Sequence, residues 1–211
     1  MSKACRHTPS ENSSPRLVLW AALIINASMF VVEIVAGTVA GSVSLYADAL
    51  DFLGDAFNYG ISLAVVGLSL TRRAQAALFK GLTMGVLGFW VLGEVVWRIF
   101  AGGVPEPLTM SVVAVAALIA NGIVAVMLYR FRTAESNLRS AWICSRNDVF
   151  GNLAVLVAAA GVFGTGTLWP DVIVAAVMAT LALQGSWIVI RHAFGELRTA
   201  RAQAKPSFAD S

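Results

Sequence analysis

Between Ala47 and Asn58 the chain reads A-D-A-L-D-F-L-G-D-A-F-N, three carboxylates set into a long apolar run. At 100° per residue, Asp48, Asp51, Asp55 and Asn58 step by three, four and three, so they share one stripe of a helix whose other faces are Leu, Phe and Ala. One ionisable residue at the centre of a membrane span costs roughly 3 kcal/mol on insertion scales, and more when it faces lipid. Three on one stripe therefore predict an internal surface that meets other helices, water or a cation.

The placement in lipid rests on composition. The 211 residues are 58% hydrophobic and 13% charged, with a mean hydropathy of +0.76, too apolar for a soluble domain of this length. Apolar runs of spanning length lie at about residues 17–36, 43–69, 76–100, 108–129, 140–163 and 171–191. Short connections containing Gly or Pro separate most of them. The expected architecture is an all-α membrane protein, six transmembrane helices in one bundle: a tail over 1–16, a six-helix transmembrane domain over 17–191 and a second tail over 192–211. The first sixteen residues are polar and the following run is long enough to stay in the membrane, so no cleaved leader is expected.

Basic residues set the orientation. Lys3, Arg6 and Arg16, then Arg72, Arg73 and Lys80, then Arg130, Arg132 and Arg139, then Arg191, Arg198, Arg201 and Lys205 flank one side, and Arg98 alone belongs to the other. That side is read as the cytoplasm, with both termini in it, in a multi-pass protein of a bacterial inner (plasma) membrane. The net charge of +3 then reflects topology beside anionic lipid and requires no nucleic acid.

The fifth run repeats the pattern of the second. In S-A-W-I-C-S-R-N-D-V-F-G-N, Cys144, Asp148 and Asn152 stand at i, i+4 and i+8, with Asn147 beside them and Arg146 turned away. If the two stripes meet, Asp51 and Asp55 from one helix and Cys144 and Asp148 from the other make four candidate ligands, the number a tetrahedral divalent metal takes. Cys144 has packing as its alternative reading. Asp48 lies nearer the outer surface, in a structural hydrogen bond or on an exit path. Asn26, Asn121, Asn147 and Asn152 are read as interhelical bonds, and Glu33 and Glu94 as snorkelling at the outer helix ends. Cys5 and Cys144 are too far apart for an expected disulfide, and Cys5 with His7 lacks a third ligand in range.

The run S-V-S-L-Y-A-D-A-L-D-F-L-G-D resembles the second-span signature of the cation diffusion facilitators, in which a Ser-rich lead-in and A-D-A precede His or Asp and, four residues on, Asp. N-A-S-M-F-V-V-E-I-V-A-G-T-V-A-G-S is similar to the first span of that family, and A-W-I-C-S-R-N-D-V-F-G-N to the fifth. The resemblance implies metal ligands at Asp51, Asp55, Cys144 and Asp148, a six-helix fold, usually a homodimer, and export of a divalent metal against protons. This chain has Asp where many members have His, and Cys where most have His or Asp. It also ends where a cytoplasmic metal-binding domain usually begins, so regulation by such a domain is not expected. Gly81-x-x-x-Gly85 is a weak candidate for close helix approach between copies.

Charge supplies a mechanism without the family. Three carboxylates and a thiolate carry four negative charges against two on the metal, and in a low-dielectric bundle the excess must be relieved by protons when the metal leaves. Metal and protons then compete for one site, and alternating access turns competition into antiport. A thiolate ligand favours zinc or cadmium, then cobalt, iron(II), nickel or mercury, over magnesium or calcium. No enzymatic role and no prosthetic group is expected. Two other readings compete: a non-transporting metal sensor or partner subunit, and an intramembrane aspartyl hydrolase using Asp55 and Asp148, which lacks a G-x-G-D run and leaves Asp51 and Cys144 unused.

Overall fold

The computed structural model describes residues 15–64, 70–130 and 136–203, although the side chains of 15, 70, 73, 136–141, 143–147 and 201–203 lie outside the description. Among the described residues there are six helices: α1 (Pro15–Ala40), α2 (Val43–Ala64), α3 (Leu70–Ala101), α4 (Pro107–Tyr129), α5 (Ser136–Thr165) and α6 (Trp169–Gln203). They alternate in direction, so the connections after α1, α3 and α5 gather at one end.

Glycine ends each of those three helices. Gly41, Gly102 and Gly166 have φ of 66°, 71° and 62°, the left-handed conformation that costs Gly least. The Gly102 and Gly166 amides donate to the Arg98 and Val162 carbonyls four residues back, and the Ser42 amide reaches Gly37 O five back. At Gly41 the Arg98 guanidinium lies 2.8 Å from where a Cβ would sit, so a side chain there would displace it. Glu106 opens α4: its carboxylate accepts from the Leu108 and Thr109 amides, while its own amide donates to Ala40 O at the end of α1. Hydrogen bonding from Thr109 holds the Glu106 carboxyl below the usual glutamate range.

The helices overrun the apolar segments. Hydropathy locates the lipid boundary and not the helix end, so α1 continues four residues past 36, α3 begins at Leu70 instead of 76, and α6 runs on to Gln203, making most of the expected second tail a continuous helix. Among the described residues, five helices are long and apolar enough to cross a membrane; the described part of α2, which carries three Asp, is not among them.

Two apolar clusters fill the bundle. Around the end with the glycine turns, Val43, Leu45, Leu50, Val91, Val95, Met110, Ala158, Val162 and Val172 pack together. Toward the other end, Val18, Leu19, Ala22, Tyr59, Val124 and Leu128 form a smaller cluster. Gly81, Gly85 and Gly88 bring α3 against α6: added Cβ atoms would meet Ile190 at 2.8 Å, Ser186 at 2.8 Å and Leu183 at 3.0 Å. The Gly81-x-x-x-Gly85 pattern, read as a contact between copies, is used inside the chain.

Candidate metal site

The acid stripe of α2 faces inward. Asp48 and Asp55 are buried and Asp51 is half-buried. Opposite them α5 presents Gly151, where an added Cβ would lie 3.6 Å from Asp51 Oδ2 and 3.9 Å from Asp48 Oδ1. A methyl group there would sit in ordinary van der Waals contact with both carboxylates.

Asp55 is the most heavily supported of the three. Tyr59, one turn on, donates its hydroxyl to Oδ2 at 3.0 Å, and Asn58 Nδ2 reaches Oδ1 at 3.4 Å. Lys80 of α3 donates to Asn58 Oδ1 and lies close enough for its charge to act on Asp55. Across the interface the Asp148 carboxyl meets that of Asp55 within hydrogen-bonding range, leaving Asp148 Oδ2 buried without a donor. Two carboxyl groups facing each other need a proton or a cation between them.

A cavity of about 610 Å³ opens on this arrangement, and Asp51, Asp55, Asn58, Lys80, Asp148 and Ser186 supply its polar lining. The remaining walls are apolar or glycine, from α2, α3, α5 and α6. It occupies the middle of the bundle and the half away from the glycine turns, while the larger apolar cluster fills the half beside them. Asp51, Asp55 and Asp148, drawn from two helices, thus share one chamber. Among the described residues no three His, Cys, Asp or Glu side chains stand close enough together to enclose an ion as they are. The Cys144 side chain lies outside the described residues, as do Asn147, Arg146, Cys5 and His7; the α5 register puts position 144 one turn before Asp148.

Several expectations change. Glu33 does not snorkel: it is 0% exposed, on the face of α1 that packs against α2, and its carboxyl meets Asp48. Asn121 donates to Asn152 Oδ1 at 3.1 Å, an interhelical bond as read, whereas Asn26 turns back to the Ala22 carbonyl of its own helix. Lys80, read as a flanking charge, instead reaches into the cavity lining; its place inside an apolar run was the available signal. Tyr59 and Asp171 were missed. The i+4 spacing from Asp55 would have found Tyr59, but nothing in sequence places Asp171 beside residues 42–44.

The sequence model of a family described as the cation efflux transmembrane domain matches residues 19–197. Among curated proteins, a zinc transporter ZitB of Pectobacterium atrosepticum is 30% identical over 208 residues, covering 90% of this chain and 63% of the relative. ZitB of Escherichia coli K12 is 26% identical, with 93% and 66% covered. The metal cation efflux system protein CzcD of Cupriavidus metallidurans is 26% identical, with 83% and 60% covered. The chain spans just under two thirds of the length of these relatives.

Proposed function

Because the chain belongs to the cation efflux family, the cation diffusion facilitators, we propose that it exports a divalent transition metal from the cytoplasm in exchange for protons, acting as a transporter and not as an enzyme. The observation that carries this reading is the shared chamber of Asp51, Asp55 and Asp148 between α2 and α5. Zinc is the first candidate cargo and cadmium the second, consistent with the zinc transporters among the relatives. The ligand set is Asp51, Asp55 and Asp148 with Cys144 as fourth donor.

In this reading the cavity faces the cytoplasm, on the argument that basic residues concentrate at that end. A metal arriving there replaces the proton between Asp55 and Asp148 and draws Asp51 and Cys144 toward it. Tyr59 and Asn58 fix the Asp55 carboxylate for capture, and Lys80 offsets part of its charge while the metal is absent. Opening of the packed half around Val43, Leu45 and Val172 would expose the site to the opposite side, where protons displace the metal. A homodimer belongs to the same reading, with a contact surface other than the Gly81-x-x-x-Gly85 face that α6 already covers.

The test is transport by the purified full chain in proteoliposomes under an imposed pH gradient. Zinc or cadmium should move uphill in step with counter-moving protons, and a protonophore should stop it. Full uphill flux in the presence of the protonophore overturns the antiport.

A further inference from the structure

Glu33 presents a bonding problem that the cation site does not solve. It stands at the α1–α2 contact, fully buried, and no donor among the described residues reaches either of its carboxylate oxygens. The polar group it meets is the carboxyl of Asp48, 1% exposed, whose Oδ2 likewise has no donor. Two carboxylates can only accept, so fully ionised they would face each other as unpaired like charges in a dry interface, an arrangement of high cost. A proton on either one turns the contact into a charge-assisted O–H···O⁻ bond, among the stronger hydrogen bonds available.

Among the described residues no basic group acts on either carboxyl. The remaining charged groups facing the pair are also acids, Asp51 on α2 and, beyond Asp48, Asp148 on α5. α1 packs against α2 and α4; α4 has no Asp, Glu, Lys, Arg or His, and the other charged residue of α1 is Arg16, more than four turns from Glu33. Asp48 lies one turn from Asp51 toward the glycine-turn end, so the pair is outside the chamber that holds the candidate ligands.

We propose that Glu33 and Asp48 form a proton-binding site separate from the cation ligands, at least one proton being shared between their carboxyl groups in the described state. Its ligand is the proton itself. The site adds to whatever protons the cation ligands exchange, and it lies between the chamber and the closed end of the bundle. It does not depend on which cation the chain carries.

Infrared difference spectra of the metal-free full chain in lipid nanodiscs, in H₂O and D₂O over a pH series, test it directly. On the alkaline side of neutrality the wild-type protein should show a deuterium-sensitive carboxylic-acid band that loses one acid equivalent per chain in Glu33→Gln and again in Asp48→Asn, taken singly. Either variant suffices, since both are near-isosteric and each leaves an amide that can donate to the remaining carboxylate. The same band should survive Asp51→Asn. An acid band unchanged in both Glu33→Gln and Asp48→Asn overturns the proposal, as does titration with zinc alone showing a second bound equivalent that Glu33→Gln removes. Because neither measurement involves transport, failure of cation efflux would leave this outcome untouched.

Discussion

Asp171, in the first turn of α6, accepts the Ser42 hydroxyl at 2.7 Å across 129 positions of sequence. The same carboxylate takes the Val43 amide at 2.9 Å and the Ser44 amide at 3.0 Å, while Ser42 Oγ lies 3.3 Å from the Leu45 amide. The first turn of α2 is therefore capped from another helix, and the buried carboxylate finds the positive end of a helix dipole. Asp171→Ala should cost about 3 kcal/mol, since it leaves several buried donors unmet at once. Hydrogen exchange should rise first at residues 43–45, and unchanged exchange there would show that the cap contributes nothing.

At the proposed cation site, Asp51→Ala, Asp55→Ala and Asp148→Ala should each lower zinc transport by more than about 100-fold while the protein still inserts. Loss of even an outer-shell partner commonly costs 10–100-fold. Tyr59→Phe, which removes only the hydroxyl donated to Asp55, should fall within that smaller range. Near-normal transport by folded Asp55→Ala would sink the shared-site reading.

For Cys144, two substitutions separate a ligand from a packing residue. As a ligand, Cys144→Ser weakens zinc and cadmium strongly, and Cys144→His keeps zinc but loses relatively more cadmium. As packing, Ser is nearly silent and His is the damaging change, because the ring overfills a thiol-sized space. Zinc and cadmium uptake normalised to membrane protein orders the two mutants in opposite ways.

The acid stripe and the six segments were legible because period and hydropathy are local properties: Asp48, Asp51 and Asp55 share a face whatever surrounds them. Which faces meet is not local. α1 and α6 are apolar nearly all round, so neither sequence reveals the side that carries Glu33 to Asp48 or Asp171 to Ser42. In lipid the usual contrast between wet and dry faces is missing. Gly81-x-x-x-Gly85 shows the same limit: the spacing announces a close approach without naming the partner helix.

That close approach predicts a contrast between glycines. Gly81→Ala should cost about 1–3 kcal/mol, because its Cβ would lie 2.8 Å from Ile190 Cγ1 and 3.4 Å from the Ile190 amide nitrogen. Gly93, on the same helix with nothing within 4 Å of its added Cβ, should accept Ala with neutral or slightly positive effect. Denaturation in a fixed detergent compares them, and equal losses would refute the packing assigned to α3 and α6.

Glu106 gives a pH effect outside the spans. Its folded-state value is lowered, chiefly by hydrogen bonding from Thr109, so the cap is fully present above the unfolded glutamate value, about 4.3. It is lost as pH falls through the lower folded value. Amide exchange at Leu108 and Thr109, corrected for intrinsic rates, should accelerate over that acid window, and Glu106→Gln should flatten the dependence.

The three carboxylates of α2 bear on how the protein is made. A 22-residue helix with Asp at 48, 51 and 55 has little reason to leave an aqueous channel for lipid alone, since one such residue near the centre already offsets several leucines. Its partners in the finished bundle are α1, which brings Glu33, and α3, α5 and α6, which are synthesised later. The charged face of α2 is therefore fully covered only when the later helices are in place. The residues proposed to hold a cation thus tie the placement of α2 to that of the helices around it.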